Sequence, residues 1–461
     1  MILSSTAGRR RRPFHRPHIV AAATGLTVAL ALGGCSTPGT TASPPDSAAA
    51  SFFDDSLVHT ISVQFSDEDY QAMLAAYADS GDKDWISATV TIDGSTLENV
   101  GLRLKGNSSL QSLSGKGEPQ PSGDGGGTAE SPETLPWLIR TDKYVDGQQY
   151  QGRTDLVVRG NNSESSLNEA LALELTGAAH LATLEAAAAR FSVNGGREAL
   201  RLVIESPDDE FWNADTFGED GSIYKAESGG DYSYRGDNAE DYTDVFEQKA
   251  GADDLQPLTA FLEFINTSSD ADFTAKLGEF LDIEAFATYL AAQDLMGNMD
   301  DIDGPGNNSY LRYDSETGLM TVVTWDLNLT FGGMPGGEGT PDDSGMPLPD
   351  GVPAPPEGME PPAGFGPGGS GGQGGSGGPG LKENALAARF MASSDFEALY
   401  ESALTTLRTD LYASGEAQQI LDKWSVLLSV QATDLVSAET IAEEAAGIAA
   451  FFAADPGSQG S

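Results

Sequence analysis

Between Gly332 and Gly380 the chain carries 19 glycines and 11 prolines in 49 residues. Glycine gives up the most backbone entropy on ordering, and proline removes a hydrogen-bond donor. Such a stretch therefore forms neither helix nor sheet, and residues 332–380 are expected to be a disordered insertion. Its three methionines (Met334, Met346 and Met359) are too dispersed to make a soft-metal site. Any globular domain must be assembled from the text on either side. That text suffices: 461 residues with 39% hydrophobic content, 5 Trp, 13 Tyr and 19 Phe can bury a core, which excludes wholesale disorder.

Charge narrows the partners. The chain has 25 basic and 70 acidic residues, a net charge of −45. Five of the basic residues, Arg9 to Arg12 and Arg16, fall in the first 34 positions, which hold no Asp or Glu. Beyond them stand 20 basic residues against 70 acidic ones. Such a field repels phosphate backbones and anionic lipid, so nucleic acid is excluded as a partner. It favours divalent cations. A lone cysteine, Cys35, excludes an internal disulfide framework and a cysteine-based zinc site.

The basic run is followed by an apolar segment, Ile19 to Leu32, shorter than the roughly 20 residues of a spanning helix. It ends in Leu32-Gly33-Gly34-Cys35, which resembles a bacterial lipobox. Residues 1–34 are read as a lipoprotein signal peptide, Cys35 as the lipidated residue, and residues 35–55 as a flexible tether rich in Ser, Thr, Ala and Pro. The expected location is the outer face of a bacterial cell membrane, with the lipid on Cys35 as anchor.

From Ser56 the pattern becomes globular. Val58 to Phe65 alternates as a strand, and Ser66 offers an N-cap for a helix over Tyr70 to Ala78. Ile86 to Ile92 and Leu97 to Leu104 flank Asp93-Gly94 as a hairpin, and residues 115–133 read as a surface insertion. Further strands are predicted at Trp137 to Arg140, Asp155 to Arg159, Phe191 to Asn194 and Leu200 to Glu205, with a helix at Ser165 to Leu175. Helical spacing then covers Leu258 to Ile265, Asp272 to Phe280 and Ile283 to Met296. Two strands, Tyr310 to Tyr313 and Met320 to Trp325, precede the insertion, and helices return from Ala385 to Ala453. The fold class is α+β.

Only His59 and His180 remain outside the leader, so a Ser-His-Asp hydrolase or a histidine metal site has little support. Carboxylates and amides gather instead in Asn298 to Asn308, followed by Trp325-Asp326-Leu327-Asn328. Hard oxygen ligands on a helix-to-strand loop suit Mg²⁺ or Mn²⁺. An EF-hand does not fit, because a turn glycine at Gly304 would put Met299 and Tyr310 at the first and last ligand positions. Asp303 and Asn308 are spaced D-x4-N, with Asp326 beyond the next strand. Protein kinases present a catalytic aspartate, a metal-binding asparagine and a second metal-binding aspartate to ATP in that layout.

Six blocks in order carry a wider resemblance. They are Val100 to Ser109, Leu156 to Asn162, Phe191 to Gly196, Leu202 to Glu205, Gly297 to Tyr313 and Val323 to Asn328. Together they resemble the spore-coat-protein-H (CotH) kinases, a divergent secreted family. The resemblance implies an atypical protein-kinase-like two-lobed fold, with a mixed N-terminal lobe and a mainly helical C-terminal lobe. That domain would occupy residues 56–331 and 381–455. It also implies ATP-dependent phosphorylation of Ser or Thr on a protein acceptor.

Carried onto this sequence, the resemblance makes Asp303 the residue that orients the acceptor hydroxyl. Asp300, in Asn298-x-Asp300, is its rival. Asn308 and Asp326 would hold the metal, with Asp301 a third participant or merely solvated. Arg103 and Lys105, ahead of Gly106-Asn107-Ser108-Ser109, are candidates for ATP phosphates, and so is Arg159. Glu169 would pair with a nucleotide-binding cation, and Glu205 would lie near the adenine. Lys225 is a further cation without an assigned role. Neither G-x-G-x-x-G nor H-R-D occurs, so a kinase here is atypical. A non-catalytic kinase-like envelope protein, with a binding or structural role, is the alternative.

Overall fold

Alternation in the first globular segment becomes β1 (Val58–Gln64), which buries His59, Ile61 and Val63. The computed structural model describes residues 51–106, 108–113, 127–218, 220–227, 231–298, 300–302, 308–332 and 384–454. The expected leader, Cys35, most of both insertions and Asp303 lie outside the described residues. Helix α1 (Asp67–Ser80) starts at Ser66, whose Oγ accepts the Asp69 N–H at 3.1 Å. Strands β2 (Ile86–Ile92) and β3 (Ser95–Leu104) turn at Asp93 and Gly94, with φ of 47° and 82°. Positive φ at both residues matches the twist of a two-residue hairpin.

Then come β4 (Trp137–Arg140), β5 (Asp155–Val158), α2 (Leu167–Ala178), β6 (Ala186–Val193) and β7 (Glu198–Ile204). β1 pairs with β2 on one side and runs parallel to β6 on the other. The order β1-β2-β3-β4-β5-β7-β6 thus closes on itself. Side-chain alternation separates two cores. Leu156 and Val158 point into the closed sheet with Leu102, Trp137 and Phe191. Val157, with Leu138, Leu202 and Ile204, packs outward on a larger core that includes α2.

That larger core is completed by α3 (Glu210–Phe217), β8 (Gly221–Ala226), β9 (Phe246–Ala250), α4 (Gln256–Thr267), α5 (Asp270–Lys276) and α6 (Ile283–Met296). β10 (Ser309–Asp314) and β11 (Met320–Thr324) join β8 and β9 in an antiparallel sheet of order β11-β10-β8-β9. Past the insertion follow α7 (Ala385–Met391), α8 (Ser394–Leu407), α9 (Glu416–Gln431) and α10 (Ala438–Ala454). The α+β class is as the sequence implies. Three details differ. The alanine run Ala186–Ala189 extends β6 although alanine is a poor strand former. The helix expected over Asp272 to Phe280 ends at Lys276 and tightens into a 3₁₀ turn, Leu277–Glu279. Elements α3, β8 and β9 fill a stretch in which the sequence suggested none.

Candidate active site

Arg159 follows β5 and is 8% exposed. Its Nε lies 2.8 Å from Glu169 Oε1, in the first turn of α2, and its Nη2 donates to Asp326 Oδ1 just past β11. Burial alone would weaken the guanidinium's hold on its proton, but the two carboxylates more than reverse this, and its pKa rises. Glu169, 2% exposed, is pushed up by burial, with Arg159 opposing. Asp326 sits at φ 64°, a left-handed conformation that is uncommon for a residue with a side chain. The loop after it is tied down. Asn328 O accepts Asn168 Nδ2 at 2.6 Å, and the Phe331 N–H donates to Met296 O at 2.8 Å.

A second cluster has the opposite charge pattern. Lys105, just beyond β3, places Nζ 3.5 Å from Asp208 Oδ2, and Lys249 of β9 places its own 3.8 Å from the same oxygen. Tyr310 of β10 donates its hydroxyl to Asp208 Oδ1 at 2.8 Å. Burial works to raise the Asp208 carboxyl, yet Lys105, Lys249 and the Tyr310 hydroxyl hold it well below the usual range. Burial lowers Lys105, with Asp208 opposing. Lys83 is pushed down to about 8 by burial and by the charges of Lys225, Arg103 and Lys105. Four of the other basic residues beyond the leader, Lys83, Arg103, Lys225 and Lys249, thus lie within electrostatic reach of Lys105.

Trp325 joins the clusters. Lys105 Nζ lies 5.2 Å from its ring centroid and the Arg159 guanidinium carbon 5.5 Å. The Tyr310 ring packs edge-on at 5.7 Å. Next to Asp326 lies the loop after α6. Asn308 Nδ2 donates to Asp300 O and to Asp300 Oδ2, both at 2.7 Å. Asp300 is raised by burial and then by the charge of Asp326, with Asn308 opposing. Asn298 accepts the Asp300 N–H at 3.3 Å and donates to Gln293 at 2.8 Å.

The structure therefore brings together Lys105, Arg159, Glu169, Asp300, Asn308 and Asp326. Asp301 is buried beside Asp300. Arg103 stacks over Trp85 at 4.8 Å, and its buried Nε has no hydrogen-bond partner among the described residues. Glu205 is placed elsewhere. It pairs with Arg153 at 2.7 Å, accepts the Glu185 N–H at 2.7 Å, and is raised to about 7 by burial. Arg159 N–H bonds to Leu202 O, so Glu205, just past the end of β7, lies three residues further on, roughly 10 Å away. Asp208, Lys249, Trp325 and Tyr310 were not singled out from the sequence as site residues. The scarcity of cations, which flagged Arg103 and Lys105, was the signal that could have reached Lys249.

With this geometry in view, residues 102–440 match the family described as CotH kinase protein. The chain belongs to the CotH kinase family. A curated relative, inner spore coat protein H of Bacillus subtilis (strain 168), is 30% identical over 146 residues, 30% of this chain. The match spans 39% of that relative's length. Among the described residues no three His, Cys, Asp or Glu side chains gather as a ready-made metal cluster.

Proposed function

We propose that this CotH-family chain is an ATP-dependent phosphotransferase with a kinase-like two-lobed arrangement. In this reading it acts on Ser or Thr of cell-envelope proteins and is exported and lipid-anchored through Cys35. The observation that carries the activity is Arg159 held between Glu169 and Asp326. A strand cation, a helix glutamate and a loop aspartate are the parts that kinases assemble around ATP phosphates. Arginine stands in for the usual lysine, and its fork can hold two carboxylates at once.

Asn308 and Asp326, with Asp301 as the third candidate, offer hard oxygen donors beside Asp300, which is raised by burial and then by the charge of Asp326. The donor set therefore fits Mg²⁺ or Mn²⁺, which would neutralise charge on the phosphates when bound. Lys105 and Lys249 supply ammonium groups for phosphate oxygens, and Arg159 keeps Asp326 in place. Asp300 accepts a hydrogen bond from an acceptor hydroxyl and draws off its proton, with Asp303 as the rival for that role.

The test is transfer of labelled γ-phosphate from ATP, with Mn²⁺ or Mg²⁺, to envelope proteins by the purified full-length chain. Label on Ser or Thr that disappears in Asp326→Ala is expected. Asp300→Ala and Asp303→Ala separate the two candidate bases. Absence of transfer together with absence of ATP binding would contradict the reading and leave a non-catalytic envelope protein.

A further inference from the structure

The N-cap residue of α2, Ser166, sits at φ 55° and its side chain accepts no backbone N–H of the helix. The residues just before it are held from α10. Glu444 accepts the Glu164 N–H at 2.8 Å, the Ser165 N–H at 3.1 Å and the Ser165 hydroxyl. Ser165 Oγ in turn accepts the Leu167 N–H at 3.3 Å. A carboxylate some 280 positions away in sequence thus fixes the two residues that lead into α2, near the positive end of its dipole, while Ser165 Oγ takes the first N–H of the helix. Glu169 stands in that same first turn.

Two turns further on, α10 meets the other two segments of the site. Phe451 and Phe452 pack edge-on against Phe331, each with ring centroids 5.6 Å apart. Phe331 closes the loop that begins at Asp326. Phe451 also covers Gly297, where an added Cβ would lie 2.7 Å from the ring and where φ is 63°. Gly297 is the turn from α6 into Asn298 and Asp300. One helix therefore touches the starts or ends of the segments bearing Glu169, Asp326 and Asp300. Glu444, Phe451 and Phe452 all lie beyond the span that matches the family.

We propose that α10 is the positioning element of the site, and that Glu444 is a positioning residue setting Glu169, and through Arg159 Asp326, in register. The proposal rests on the phosphotransferase reading. Its test uses the full chain with Glu444→Ala, Glu444→Gln and the exposed neighbour Glu443→Ala. Two quantities are measured: hydrogen exchange of the nucleotide-free chain, and the ATP dissociation constant with Mn²⁺.

Glu444→Ala is expected to speed exchange of the amides of residues 164–170 about fivefold, the effect of losing the hydrogen bonds that fix the entry to α2, with β1 to β3 unchanged. ATP affinity is expected to fall roughly three- to tenfold. Glu444→Gln keeps an acceptor oxygen and recovers most of both, and Glu443→Ala changes neither. Two results overturn the proposal: faster exchange at α2 with ATP affinity unchanged, or exchange rising equally throughout the chain. A wild-type chain that binds no ATP sinks the phosphotransferase reading itself and the positioning role with it. That pattern differs from ATP binding that is intact and indifferent to Glu444.

Discussion

The two buried clusters that meet at Trp325 carry opposite charge excesses. At one, a single guanidinium, Arg159, lies between the carboxylates of Glu169 and Asp326. At the other, a buried carboxylate, Asp208, lies between the ammonium groups of Lys105 and Lys249, and Lys249 also pairs with the more exposed Glu247. With every group ionised the first carries one excess negative charge, and the second, taken with Lys83, Arg103, Lys225, Glu227 and Glu247, has five cations against three carboxylates. Burying unbalanced charge is expensive, so each excess is a standing demand for a counter-charge. The negative side, next to Asp300 and Asn308, suits a divalent cation, and the positive side suits phosphate. A metal–nucleotide complex carries both charges in one ligand, and this complementarity is what the comparison teaches.

The largest expected effect comes from removing the hub of the positive cluster. Asp208→Ala leaves Lys105 buried without its carboxylate and Lys249 with only the more exposed Glu247, and should cost about 3–5 kcal/mol in urea unfolding at neutral pH. The Asp208 carboxyl is held below its ordinary range, so the stability it contributes is present above its unfolded pKa and is lost as pH falls through the folded one. The penalty should therefore shrink only below about pH 4. A penalty that shrank between pH 8 and pH 5 would break the picture.

Arg159→Ala tests the other hub and should behave differently with pH. Glu169 is already lifted by burial, and without Arg159 it will take up a proton more readily. The expected cost is about 3 kcal/mol at pH 8 and distinctly less at pH 5. Equal cost at both values would mean that Glu169 does not carry the negative side.

Arg153, between Glu205 and Asp215, repeats the one-guanidinium, two-carboxylate pattern away from Trp325 and serves as a control. Glu205 is raised to about 7, so its favourable state is protonated and its contribution declines as pH rises from about 4.5 through 7. Glu205→Gln should abolish that decline, a relative gain on the order of 2 kcal/mol between pH 5 and pH 8. ATP affinity should stay unchanged, and a fall would put Glu205 back near the nucleotide. The smallest effect is expected from Tyr310→Phe, which removes one hydrogen bond to Asp208 and should cost about 1–2 kcal/mol.

The difference between the clusters also explains what was legible in the sequence. The negative cluster sits on strongly patterned text: β5 is an apolar run, α2 has helical spacing, and Trp325-Asp326 ends a clear strand. Arg159, Glu169 and Asp326 could each be named before their contacts were seen. The positive cluster draws Asp208 and Lys249 from residues 206–255, where short polar strands such as Phe246–Ala250 show no apolar periodicity. Those strands are fixed by pairing with β8 and β10, a tertiary effect that no local pattern carries. Glu205 shows the opposite case. It ends a readable strand, yet β-sheet register alone decides which site that end faces.

The most direct measurement is unfolding of the full chain with ATP alone, Mn²⁺ alone, both together, and both with Asp326→Ala. A metal–nucleotide complex bound across the two clusters predicts stabilisation by both together of about 2.7 kcal/mol at 100 times the dissociation constant. Each component alone should give much less, and Asp326→Ala should remove the effect. If millimolar ATP and metal leave the unfolding curve of the wild-type chain where it was, the two clusters are not halves of a nucleotide site.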